Sequence, residues 1–448
     1  MNLLLRSKML FASTVLFVFF TSASKAQTVN TGAGKINTVT TAVPFLRIVP
    51  DARAGGMGDV GIASPTDANG LYLNPAKMAF IDKDFGFAVT FSPWLKALVN
   101  DIYLVNINGY YKVKKMQTIA LSVRYFSLGN ITFTDVNGQE TGQFRPNEFA
   151  IDGHYARVLG KYFSIAASLR FIYSNLAGGQ GGQVKAGIAG SGDISWYFKK
   201  RYNENKENKF VHEFAAGMNI SNIGSKITYN PTNKGQRDYI PTNLGLGFGY
   251  TLDVDKHSTV GAYVDFNKLL VPSPDTVDNN NNAIYDFREK SPITGMFTSF
   301  GDAPGGFKEE MREITIGAGV EYMYNKQFGA RFGYFYEPST KGNRQFLTAG
   351  LTVKYSVVGL NFSYLIPTTI QRNPLDNTLR FSLLFDFAKG GKKAGQNNTG
   401  VSLVDDGPKK KSKKEKELQP TENVVPVAPV TPEVPLESVP PLPKKDNE

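Results

Sequence analysis

One stretch of the chain has residue types and spacing that suit a hard cation: Asp278-x-Asn280-x-Asn282, followed by Asp286 and Glu289. Oxygen ligands at alternate positions, closed by a carboxylate where Glu289 stands, are what a calcium-binding loop needs. That loop also needs a glycine at its sharp turn, where this chain has Ala283, and an acid where it has Asn282. Calcium is thus the candidate ligand and an asparagine-rich loop without metal the competing reading; no other cofactor is expected. Catalytic constellations are missing. The three histidines, His154, His212 and His257, share no spacing. The chain has no H-E-x-x-H, no G-x-S-x-G and no P-loop lysine. The glycine run Gly178-Gly179-Gln180-Gly181-Gly182 lacks the strand–turn–helix setting of a phosphate cradle. An enzyme is not expected. With no cysteine in 448 residues, disulfides, thiolate metal sites and a cysteine-linked lipid anchor are excluded.

A second set of residues is suited to recognition. Trp94, Leu95 and Leu98 fall in one connection between apolar-periodic segments, and Met296, Phe297, Phe300 and Phe307 fall in another, much longer one. Large apolar groups on loops either fold over the body beneath them or form a partner surface.

The elements that must carry these loops are strands. The chain has 44 Gly, 32 Phe and 21 Tyr. In 117–128, Ile119, Leu121, Val123 and Tyr125 alternate with Thr118, Ala120, Ser122 and Arg124; 358–366 and 377–387 alternate in the same way. Period 2 over such lengths gives a strand with one apolar face, longer than is usual in soluble sheets and matched to a tilted membrane crossing. Fourteen segments fit: 84–92, 102–112, 117–128, 147–158, 163–174, 187–199, 210–220, 244–252, 258–267, 313–324, 327–336, 345–355, 358–366 and 377–387. Connections after odd-numbered segments are mostly long (129–146 and 268–312, for example). Those after even-numbered ones are mostly short (159–162, 325–326, 356–357). This sorting is the outer-membrane pattern, and a soluble β-sandwich has no reason for it. In lipid every backbone group must pair within the protein, so the sheet must close. The prediction is an all-β, transmembrane outer-membrane β-barrel of about fourteen antiparallel strands over 84–388. Tyr110, Tyr111, Tyr125, Phe126, Tyr334, Phe335 and Tyr336 are expected in its aromatic girdle. The opposite face is rich in Gly, Ala, Ser and Thr with single arginines, which predicts an occupied lumen. The expected occupant is a plug or hatch drawn from the Gly/Pro/Asn-rich segment 27–83.

The ends are read separately. Residues 1–26 have a basic start (Arg6, Lys8), an apolar run and Ser24-Lys25-Ala26 before Gln27, as in a secretory signal peptide. Residues 389–448, with their lysine run and proline-rich end, read as a disordered tail. An even strand count puts both termini at the short-turn rim, the periplasmic one. The formal net charge of +11 is spread without the stripe a nucleic-acid protein would show.

Three motifs carry a resemblance: Phe45-Leu-Arg-Ile-Val-Pro-Asp-Ala-Arg-Ala-Gly-Gly-Met-Gly58, Asn74-Pro-Ala76, and Met296-Phe-Thr-Ser-Phe-Gly-Asp-Ala-Pro-Gly-Gly-Phe307. The chain resembles the PorV (LptO) family, the outer-membrane barrels of the type IX secretion system of Bacteroidetes, from its start to Phe387. It departs from that family in its tail of some sixty residues. Asn-Pro-Ala is shared with FadL-type transporters, whose fourteen-stranded, hatch-bearing fold the family resembles. The resemblance implies a barrel that receives secreted cargo proteins by their C-terminal domain from the SprA (Sov) translocon. It then passes them to the PorU attachment machinery, with Trp94, Leu95, Leu98, Met296, Phe297, Phe300 and Phe307 as the partner-binding loops. The alternative is a FadL-like outer-membrane channel for hydrophobic small molecules; a structural porin conflicts with the small-residue lumen.

Overall fold

Alternation along the chain becomes alternation across a wall. The computed structural model describes residues 37–94, 101–176, 184–203, 210–230, 237–274, 277–280, 284–368 and 378–388. Its strands are β1 (Phe85–Pro93), β2 (Ile102–Lys114), β3 (Gln117–Leu128), β4 (Ile131–Thr134), β5 (Glu140–Phe144), β6 (Asn147–Val158), β7 (Phe163–Asn175) and β8 (Gly187–Tyr202). There follow β9 (Val211–Gly224), β10 (Asn243–Asp253), β11 (Ser258–Leu269), β12 (Ile314–Tyr324), β13 (Phe328–Tyr336), β14 (Gln345–Tyr355), β15 (Val358–Pro367) and β16 (Leu379–Phe387). All but β4 and β5 form one closed antiparallel barrel, each strand paired to its neighbour along the chain. β1 meets β16 from Phe85↔Phe387 to Phe91↔Phe381, which leaves no open edge. The fourteen expected strands are these fourteen. The hairpin β4–β5 stands apart, inside a connection expected to be loop.

The outward face is apolar: Phe87, Ile107, Leu121, Leu169, Phe332 and Leu351 are all exposed. It needs a hydrocarbon surrounding to be stable. Cross-strand rings stack along it, as in Phe87–Phe385 at 4.5 Å and Phe149–Tyr173 at 5.0 Å. Among the described residues no helix is long and apolar enough to cross a membrane. One rim carries the long connections 129–146, 225–242 and 270–313; the other carries the tight turns 115–116, 254–257, 325–327 and 356–357.

The girdle expectation needs correcting. Tyr110 and Phe126 are buried on the inner side: the Tyr110 hydroxyl donates to Asp386 at 2.7 Å, and Phe126 stacks on Phe45. Phe335 stacks on the buried Phe346. Successive side chains point to opposite faces, so two aromatics in a row cannot both face lipid.

The described part of 27–83 fills the lumen. It has little regular structure: 3-10 turns at Pro44–Arg47, Ala68–Leu71 and Pro75–Phe80, and the one-turn helix α1 (Ala52–Gly55). Nearly all of 49–81 is buried. Over the long-loop rim lie α2 (Asp286–Glu289), α3 (Pro292–Thr298) and α4 (Phe307–Arg312).

Candidate functional site

A segment with little ladder of its own must satisfy its backbone against the wall. Asp51 caps α1, accepting from the amides of Arg53 at 2.9 Å and Ala54 at 3.0 Å. That cap aims Arg53 outward. Its guanidinium grips Glu321 of β12 with two bonds (3.0 and 2.7 Å) and reaches Asp67 at 3.1 Å, while Arg331 of β13 donates to the same Glu321 at 2.6 Å. Around the lumen, Asp265 of β11 accepts from the amides of Gly61 and Ile62 (2.7 and 2.9 Å), Thr348 of β14 accepts from that of Gly58 (2.8 Å), and Arg380 of β16 donates to Asp59 (2.7 Å). The Asn74 amide donates to the carbonyls of Ile62 (3.1 Å) and Trp196 (3.0 Å), and its oxygen accepts from the Ala76 amide (3.0 Å).

The small-sided lumen is a consequence of this fit. A Cβ at Gly317 would stand 2.6 Å from the Gly58 carbonyl, and one at Gly247 would stand 2.6 Å from Ile62. Gly333 has the Met57–Gly58 peptide against it. Gly58 has φ of +73° and lies against the backbone of Tyr334, two demands that only glycine meets cheaply. A cavity of about 130 Å³ is left between plug and wall. Its lining is mixed, with Arg47, Asp59, Arg170, Glu313, Glu337 and Arg344 beside Leu46, Ile62 and Phe335.

On the long-loop rim the acids of α4 turn inward, while Lys308 and Arg312 stay exposed. In α4, Glu310 is buried and accepts from Lys268 at 2.8 Å, while Glu313 just beyond accepts from Lys268 at 2.5 Å and Lys341 at 3.0 Å. Lys341 also donates to Glu309 at 2.6 Å, and that bond holds the Glu309 carboxyl below the ordinary glutamate range. With the carboxylates turned down, Phe307 (80% exposed) and Met311 (52%) face out. Phe297 (67%) and Phe300 (53%) do the same on and just after α3, whose Gly295 packs against Pro272 and Tyr239. A helix that pairs its acids with the barrel and shows its apolar side chains to the outside is arranged for contact.

The other candidate residues take varied places. Met296 is half-buried between its exposed neighbours. Trp94 departs from the expected rim contact: it is 8% exposed and sits edge-on to Phe126 at 6.3 Å, closing the apolar cluster over Phe45. Leu95 and Leu98 lie outside the described residues, as do the signal peptide, the tail, the glycine run at 178–182 and Asn282. In the calcium candidate, Asp286 accepts from Asn279 (amide 3.1 Å, side chain 2.5 Å) and Glu289 accepts from Asn280 at 2.7 Å. Asn280 thus turns its NH2 group to a carboxylate. No cluster of three acidic or histidine side chains suited to a metal occurs among the described residues. The histidines are scattered, His154 against Ser168, His212 against Tyr250 and His257 against Asn325.

Residues that sequence reasoning left unassigned do most of the anchoring: Arg53, Asp59, Asp265 and Glu321. The available signal was the Asp51-x-Arg53 pair within the first motif, together with lone acids on otherwise small-sided inner strand faces.

Among solved structures, the Pseudomonas putida toluene transporter TodX is similar at 8% identity, with a TM-score of 0.40 over 78% of this chain and 98% of that one. The Ralstonia pickettii toluene transporter TbuX follows at 11% identity, TM-score 0.38, covering 76% and 98%. A Pseudomonas aeruginosa FadL homologue stands at 11% identity, TM-score 0.37, covering 78% and 99%. No curated protein matches the sequence. The family described as "Type IX secretion system protein PorV" matches residues 31–276, more than half of the chain and all of the described part of the plug. The chain therefore belongs to the PorV family, and it is an outer-membrane β-barrel protein of the type IX secretion system.

Proposed function

We propose that this barrel works as a docking station: it receives secreted cargo proteins by their C-terminal domain from the translocon and hands them to the surface attachment complex. In this reading the long-loop rim faces the cell exterior and the short-turn rim, with both termini, faces the periplasm. The observation that carries it is the pairing of a filled lumen with an apolar platform above it. The plug takes the space a permeation route would need, while Phe307 and Met311 are displayed on a helix fixed from below and Phe297 and Phe300 are exposed on and just after α3. Calcium at Asp278–Glu289 stays a proposal of lower rank, because Asp286 and Glu289 are engaged by asparagine amides.

The test is deletion of the gene in the native host. Cargo is expected to accumulate in the periplasm with its C-terminal domain uncleaved. Processed cargo reaching the surface at the normal level would end the reading.

One observation favours the second reading, a channel for hydrophobic small molecules. The β8–β9 pairing slips between Gly192 and Ile194, and beside it the outer wall has a depression lined by Ile151, Leu169, Phe171 and Ile223. Arg170 lines both this depression and the inner cavity. Uptake of a hydrophobic dye into liposomes bearing the purified protein tests this route, and uptake equal to that of empty liposomes removes it.

A further inference from the structure

On the outer wall at the short-turn rim, cations are interleaved with aromatic rings at one place. Strand parity separates two sets of basic side chains on the end of β8. Lys199 and Arg201 point inward: the Lys199 ammonium lies 5.0 Å from the Phe80 ring of the plug, and Arg201 pairs with Asp253 at 2.6 Å. Trp196, Phe198, Lys200 and Tyr202 point outward. The Lys200 ammonium lies 4.8 Å from the Tyr202 ring and 5.5 Å from that of Tyr162, and Lys161 approaches the same Tyr162 ring at 5.3 Å. One phenol ring thus serves two ammonium groups. Trp196 stacks on Phe163 at 5.9 Å, and the ladder puts Arg157, exposed on β6, in the same row as Ile165 and Trp196.

Arg157, Lys161 and Lys200 have no carboxylate partner among the described residues. Elsewhere at this rim the exposed lysines Lys115, Lys256 and Lys326 stand on tight turns, and the outward strand ends are apolar or aromatic: Phe85, Tyr111, Val113, Phe328 and Tyr355. Three cations at the edge of a lipid-facing wall stand at the interface depth, where Trp and Tyr rings also settle and where each cation is attracted to an anionic headgroup.

We propose that Arg157, Lys161 and Lys200, framed by Tyr162, Trp196 and Tyr202, form a binding site for the phosphate headgroup of an anionic glycerophospholipid. The phosphodiester sits among the cations, and the glycerol and first acyl carbons lie against the rings. A zwitterionic lipid carries its own counter-charge and gains less from the cations. The site does not depend on the secretion reading, and the measurement below does not depend on which way the barrel is inserted.

The test uses the purified full chain in nanodiscs of mixed phosphatidylglycerol and phosphatidylcholine, with the lipid retained on release counted by native mass spectrometry. Phosphatidylglycerol is expected to be enriched over its share of the disc, and the enrichment is expected to fall about fivefold for each cation removed. Lys161→Gln with Lys200→Gln should abolish most of it, and Lys161→Arg with Lys200→Arg should keep it. Heat-modifiable migration of the barrel on gels checks folding. Should the glutamine variant fail to fold, the wild-type enrichment measured at high salt replaces it, since screening acts on the same charges. Equal retention of the two lipids by the wild type overturns the site, as does full enrichment in a folded glutamine variant or full enrichment at high salt.

Discussion

Arg53 of the plug and Glu321 of the wall meet through two parallel bonds of 3.0 and 2.7 Å, both side chains buried, far apart in sequence and brought together by closure of the barrel. The geometry is the fork-on-carboxylate form that makes such pairs specific in direction as well as strong. Because Arg331 shares Glu321 and Asp67 shares Arg53, the pair is the centre of a chain of alternating charges. Desolvation makes a buried pair weak evidence for net stability, yet removal of one partner leaves the other charge exposed to a medium that cannot solvate it.

Arg53→Ala is therefore expected to cost about 3–5 kcal/mol of plug docking. Glu321→Gln should cost a similar amount, since it sets the guanidiniums of Arg53 and Arg331 against each other. Planar-bilayer recording is the measurement: both variants should show channel events that the wild type lacks, while the barrel keeps its heat-modifiable migration. Silence from both would mean that the remaining contacts hold the plug unaided.

The glycines of the wall give an independent handle on the same fit. Gly317→Ala places a methyl group 2.6 Å from the Gly58 carbonyl and should destabilise the folded protein by about 1–3 kcal/mol. Gly153→Ala on β6 meets nothing within 4 Å and should be near neutral. Thermal unfolding in detergent compares the two directly, and equal melting shifts would contradict the close approach of plug and wall.

Trp94 and the Phe297/Phe300 pair should separate fold from recognition. Trp94→Ala removes a buried ring from the cluster over Phe45 and is expected to cost about 3–5 kcal/mol in unfolding. Phe297→Asp with Phe300→Asp alters exposed side chains and should leave unfolding unchanged, but it should reduce recovery of cargo in a pull-down at least tenfold. Undiminished recovery would move the contact surface elsewhere on the rim.

Lys226, in the connection after β9, gives a prediction about pH. Its ammonium lies 4.2 Å from the Tyr239 ring and donates to the Arg288 carbonyl at 2.5 Å, tying two long connections together. Burial, with Arg237 adding repulsion, pushes it down to about 8. The unfolded lysine binds its proton up to about 10.5, so between those values the unfolded chain holds more protons. Stability of this rim should accordingly rise as pH increases through that window, by less than a fully buried amine would give, since Lys226 is half-exposed. Reductive methylation near pH 8 should label Lys226 ahead of lysines of ordinary basicity. Tyr239→Ala should return it to their rate.

Much of the barrel was legible in the chain because a strand's period of two is a local property. Fourteen half-apolar segments, sorted connections and the requirement that a sheet in lipid close on itself follow from side-chain order alone. The small-residue inner face likewise implied an occupied lumen. What the sequence could not decide is which side chains meet across hundreds of residues. Nothing local pairs Arg53 with Glu321, or Gly61 with Asp265, because those distances are set only when the wall closes around the plug. The same holds for Trp94: a tryptophan on a connection has the composition of a rim contact. Only the position of Phe126 and Phe45 beneath it turns the ring inward. In α4 the order of residues placed two acids between Phe307 and Met311, but Lys268 from β11 and Lys341 from the β13–β14 connection determined that the acids face down and Phe307 and Met311 face out. Local order fixes period and therefore fold; the pairing of charges across the lumen is a global quantity, and the tertiary structure decides it.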